Sequence, residues 1–102
     1  MDVTVTDVPE KSRYEARIDS GDLAGFAVYQ LTPRLVVFTH TEVEPAYEGQ
    51  GIGGRLVQAA LDDVRSRGLH IVPLCPFVKS WVARHPDYAD MVYGAPPSRV
   101  TD

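Results

Sequence analysis

At 102 residues and 11.2 kDa the chain has room for one domain and one modest core. Hydrophobic residues at 44% and charged residues at 24% are globular proportions and exclude a disordered chain. A net charge of −4 and a pI near 5.2 argue against nucleic acid as a partner, since non-specific binding needs a basic face. No apolar run reaches the ~18 residues of a membrane helix, and no signal-peptide pattern opens the sequence. No membrane partner is therefore expected, and the cytoplasm is the expected compartment. Cys75 is the single cysteine, which excludes an internal disulfide and a Cys-rich zinc site, and no metal is expected. Nothing in the sequence fixes an oligomeric state.

Val3, Val5 and Val8 alternate with polar residues, the period of a half-buried strand that Pro9 closes. From Arg13 to Asp19, Tyr14, Ala16 and Ile18 alternate with Arg13, Glu15 and Arg17, so one face of this strand is expected to be wet. Ser20-Gly21-Asp22 is a turn, residues 23–31 a third strand, and Thr32-Pro33-Arg34 a second turn. Residues 35–43 open with Leu35, Val36, Val37 and Phe38, and apolar residues on both faces predict a central strand covered on both sides. The period then changes. Ile52, Leu56, Val57, Ala60, Leu61 and Val64 form one stripe of a helix over 51–67, with Gly68 placed to end it. Residues 69–74 read as a buried strand, and Pro76 opens a second helix that stops near His85, before Pro86. Another helical turn or two is expected over 86–93, and 93–102 as a flexible tail. The expected fold is mixed α+β in a single domain. An antiparallel meander leads into a right-handed βαβ unit with a glycine loop, followed by a C-terminal helix.

The loop Glu48-Gly49-Gln50-Gly51-Ile52-Gly53-Gly54 joins the most apolar strand to the amphipathic helix. Glycines let backbone approach a ligand closely, and a helix N-terminus offers unpaired N–H groups to an anion. This is the layout for holding a phosphate or pyrophosphate; the alternative is a plain strand-to-helix turn with Gly51 as N-cap. A P-loop is excluded because Arg55-Leu56, not Lys and Ser or Thr, follow the last glycine. Gly49, Gly51 and Gly54 match the dinucleotide spacing, but a meander precedes them and no acidic residue lies in the strand at 69–74.

Gln50-Gly51-Ile52-Gly53, with Leu56-Val57 behind it, resembles the acyl-CoA pyrophosphate loop of the GNAT N-acetyltransferases. His40-Thr41-Glu42-Val43, Tyr47 to Gly53, and Pro73-Leu74-Cys75-Pro76-Phe77 through Arg84-His85-Pro86-Asp87-Tyr88 resemble the branch of small single-domain GNAT-like proteins. The resemblance covers roughly residues 12 to 93. It implies acetyl-CoA (coenzyme A) as the bound substrate, with Val43, Glu48, Gly49, Gln50, Gly51, Ile52, Gly53 and Gly54 at the cofactor. It also implies that Val43 supplies the backbone donor to the thioester carbonyl. Glu48 departs from the Arg or Gln that begins the family's loop, so only its backbone is expected to face the phosphates. The two helices and two strands that usually wall the acceptor site have no counterpart in this length, so that site is expected to be open or completed by a partner.

Acetyl transfer to an amine needs a base, and His40 and Glu42, two apart on one strand, share a face near the loop; either could serve. Cys75, ahead of the Pro76 helix, could accept the acetyl group, line the acyl pocket, or be an inert buried thiol. A Cys75–His40 nucleophile–base pair requires the two strands to adjoin. Tyr88 is a candidate to protonate the leaving thiolate, and Arg55, Lys79 and Arg84 are candidate partners of the adenosine 3′-phosphate. Phe77, Val78 and Trp81 are expected in the core. The functional expectation is an acetyl-CoA-dependent N-acetyltransferase acting on an unidentified amine. The alternatives are a CoA-binding protein without turnover and a small interaction module.

Overall fold

A computed structural model describes residues 2–94 and bears out the α+β expectation. Strands β1 (Val3–Val8), β2 (Arg13–Ile18), β3 (Leu23–Leu31) and β4 (Leu35–Val43) form an antiparallel meander. Helix α1 (Ile52–Ser66) then crosses to β5 (His70–Pro73), which pairs parallel with β4. The sheet order is β1-β2-β3-β4-β5, and α2 (Pro76–Ala83) follows. Short 3₁₀ turns at Pro9–Lys11, Pro45–Tyr47 and Pro86–Met91 each start on a proline, whose fixed φ suits a first helical position. The tail expected from 93 onward lies, beyond Gly94, outside the described residues. Among the described residues no helix is long and apolar enough to cross a membrane.

The apolar stripe of α1 is buried as its spacing requires: Ile52, Leu56, Val57, Ala60, Leu61 and Val64 all face the sheet. Each large aliphatic side chain so buried contributes about 1.5–3 kcal/mol. Gly68, at φ 72°, ends the helix in the left-handed conformation expected of it. Two polar ties fix α1 to the meander. The Tyr14 hydroxyl donates to Asp63 of α1 (2.6 Å), and Arg67, at the end of α1, bridges Asp63 (3.0 Å) and Asp7 of β1 (2.9 Å), which also accepts from the Tyr29 hydroxyl (2.6 Å). Burial and the neighbouring carboxylates push both phenols far above their ordinary pKa, so they remain donors.

Two expectations are corrected. The strand β4 is covered on one face only, because α2 packs beside α1: the Phe77 ring lies over Gly53 and the Trp81 indole beside Gly54. Among the described residues the opposite face carries no helix. Secondly, Glu15 points to that open face but is only 4% exposed rather than wet. Arg13 (2.7 Å) and Arg17 (2.9 Å) close over its carboxylate, and Arg13 also lies 4.4 Å from the Phe26 ring centre. Burial raises the carboxyl pKa, but the hydrogen bonds from the two guanidinium groups outweigh it and hold it below the usual range.

One irregularity in β4 decides what reaches each face. Tyr29 pairs with Phe38 but Val28 pairs with His40, leaving Thr39 as the extra residue of a β-bulge. Before the bulge, Val36 and Phe38 face the helices; after it, Thr41 lies with Ala27 and Tyr14 on that face. His40 and Glu42 turn to the open one, beside Phe26.

Candidate functional site

The pairing of β4 with β5 ends at Phe38 and Pro73, whereas β4 runs on to Val43. The two strands part there, and the Cys75 amide makes the last bond across, to the Phe38 carbonyl (2.9 Å). Beyond it, Glu44 N–H donates to Ala24 of β3 (2.8 Å). Successive amides along a strand point to opposite edges, so the Val43 N–H faces the edge where β5 has ended.

A cleft of about 410 Å³ opens at this parting, within the range of small-molecule sites. It is lined by Thr41, Val43, Tyr47, Glu48, Gly49, Gly51, Ile52, Gly53, Gly54 and Phe77. Of the expected cofactor residues only Gln50, which is exposed, does not line it. Gly49 (φ 81°) and Gly51 (φ 77°) require the left-handed region, and a Cβ on either would meet nothing within 4 Å. Gly51 is the N-cap of α1 and no side chain caps this end, so the N–H groups of the first turn are left for solvent or a ligand. Glu48 lines the cleft, but its amide is engaged with the Pro45 carbonyl (3.3 Å). Gly53 has a different role from its neighbours. A Cβ there would stand 2.6 Å from Phe77 Cζ, so its lack of a side chain admits the ring.

Cys75 is the N-cap of α2, 3% exposed, and its thiol donates to Thr41 Oγ1 (3.3 Å), a cleft-lining side chain. His40 Nε2 lies 2.9 Å from Glu42 Oε2, and both side chains are 55% exposed. The structure thus pairs His40 with Glu42, and Cys75 with Thr41, on opposite faces of β4. His40 and Cys75 are not brought together as a nucleophile–base pair, because the bulge turns His40 away.

Tyr88 does not reach the cleft: its hydroxyl donates to Asp62 of α1 (2.7 Å) and its ring packs edge-on to Trp81. That hydrogen bond, with burial, raises its pKa. Arg84 bonds Ser80 (2.6 Å) within its own helix, and neither it, Lys79 nor Arg55 lines the cleft. Val78 and Trp81 are buried as expected, with His85 stacked on the indole at 3.8 Å, its Nδ1 2.7 Å from the Trp81 carbonyl. Phe77 is instead 40% exposed and forms a cleft wall. Thr41, Tyr47 and Phe77 are site residues the sequence pattern did not single out. Thr41 needs knowledge of the bulge, whereas Phe77, one helical turn before Trp81, carried the spacing of a core residue.

The comparisons agree with this geometry. Residues 13–91 match the family described as GCN5-related N-acetyl-transferase. The solution structure of a GCN5-like protein from Staphylococcus aureus is similar over 97% of this chain and 96% of its own, with a TM-score of 0.68 at 20% identity. The ribosomal-protein-alanine N-acetyltransferase of Brucella melitensis is similar over 88% of this chain and 67% of its own, with a TM-score of 0.56 at 23% identity. At these identities the likeness is one of fold. Protein NATD1 of Bos taurus is 40% identical over 53 residues, 52% of this chain and 47% of that protein. The chain thus matches about half the length of that relative. The family match runs through β4, the glycine loop and both helices that shape the cleft, and the chain belongs to the GCN5-related N-acetyltransferase family.

Proposed function

We propose that the chain is an acetyl-CoA-dependent N-acetyltransferase of the cytoplasm, acting on an amine still to be identified. The observation that carries this reading is the parting of β4 from β5 beside a glycine-lined helix N-terminus. The family's substrate has a pyrophosphate for the first turn of α1 and an extended pantetheine arm for the unpaired edge of β4. The Val43 N–H then polarises the thioester carbonyl, acting where negative charge develops. Cys75 sulfur, having lost its proton, attacks that carbonyl; the bond to the CoA sulfur breaks, and CoA leaves as the thiol with the proton. The amine nitrogen next attacks the acetyl-cysteine, the bond to the Cys75 sulfur breaks, and the amine's proton passes to that sulfur, restoring the thiol; His40 and Glu42, on the opposite face of β4, exchange this proton only through solvent.

A second reading, CoA binding without turnover, is favoured by one observation: the His40–Glu42 pair and the Cys75 thiol occupy opposite faces of β4. Thermal unfolding with acetyl-CoA, thiol release with amine acceptors and intact-protein mass spectrometry separate the two. The expected result is stabilisation of about 2.7 kcal/mol at 100 times Kd, release of CoA thiol, and a transient acetyl adduct absent from Cys75→Ala. No shift at millimolar acetyl-CoA overturns the cofactor assignment. Binding without thiol release selects the second reading, and turnover undiminished in Cys75→Ala removes the covalent step.

A further inference from the structure

The sheet ends on β1, whose outer edge is paired with nothing among the described residues. Such an edge is a template for another strand, and proteins that keep theirs single guard it with Lys, Pro or a bulge. Val3-Thr4-Val5-Thr6 has none of these, and β1 pairs regularly with β2 over all six of its residues, its one charged side chain, Asp7, being held by Tyr29 and Arg67. Alongside the edge runs a groove lined by Val3, Val5, Arg55, Gln58, Ala59 and Asp62, between β1 and the outward side of α1. Val3 and Val5 are only partly buried there.

We propose that this edge is the seam of a homodimer, with β1 of two copies pairing antiparallel. The sheet would then continue as ten strands, with the two α1 helices side by side on one face. A second copy fits this groove better than an unrelated peptide because the groove is self-complementary in charge. Arg55 and Asp62 lie seven residues, about 10 Å, apart on one side of α1. A two-fold axis through the seam reverses the helix, bringing Arg55 of each copy opposite Asp62 of the other, with the small Ala59 near the axis. Val3 and Val5 of the two strands fall on the same face and close the apolar floor.

Sedimentation equilibrium of the purified chain tests this, with two variants. Thr4→Lys/Thr6→Lys sets like charges across the seam on exposed positions; Ala59→Glu places a carboxylate at the axis. The expected result is a mass twice 11.2 kDa, falling to that of one chain in both variants, whose circular dichroism stays native. A monomeric native chain at high micromolar concentration, including one that binds extended peptides at this edge, overturns the proposal. So does a dimer that both folded variants retain.

Discussion

The two faces of the sheet are built from the same strands and differ in almost every other respect. The helix-covered face holds the apolar core, the tyrosine–aspartate–Arg67 ties and the cleft. The open face holds a carboxylate clamped by two arginines and the His40–Glu42 pair. In β4 the division turns on a single residue. Phe38 and Thr41 share the covered face although their numbers differ by three, because Thr39 is absorbed in the bulge. The lesson is that a period-2 reading assigns faces correctly only up to the first bulge.

Removing the bulge is the most drastic way to break this comparison. Inserting one residue between Val28 and Tyr29, opposite Thr39, restores simple alternation through Thr39 and drives His40 and Glu42 toward the helices; we expect a loss of about 3–5 kcal/mol, measured by urea unfolding, from burying a charged carboxylate in the apolar core. Next in size, Gly51→Glu attacks the covered face alone. It forces a side chain into φ 77° and sets a negative charge in the cleft. The Kd for acetyl-CoA, measured by calorimetry, should rise at least about 100-fold, a loss of about 2.7 kcal/mol. Glu42→Gln on the open face should leave it unchanged.

The smallest expected effect sharpens the open face. Glu15→Gln keeps the shape of the clamp but removes its charge, and should cost about 1–2 kcal/mol at pH 7. Its pH dependence has a definite sign. The native carboxyl is held below its ordinary pKa, so its contribution is complete above the unfolded value of about 4.3 and is lost as pH falls through the lower native one. The wild type should therefore lose stability on acidification below about pH 4.3 more steeply than Glu15→Gln, measured by thermal unfolding across that range.

Much of the fold was legible because local chemistry and long-range packing agree. The prolines at 9, 76 and 86, the α1 stripe and Gly68 all mark element ends that the structure keeps. The glycine loop was legible for the same reason, since strand, glycines and amphipathic helix occur in an order that leaves little choice. What was hidden depends on side chains meeting across the molecule. Glu15 looked solvated because its cover, Arg13 and Arg17, sits two residues away on either side and folds back over it. Gly53 looked like its loop neighbours because the ring that needs its space lies on another helix.

Trp81 is the only tryptophan in the chain. It lies with one flat side against His85 and its indole nitrogen beside Gly54, at the foot of the cleft. Its fluorescence is therefore a single-site optical probe. Emission wavelength will follow unfolding of the α1–α2 contact. A ligand at the first turn of α1 will be felt one helical contact away, without any label being attached.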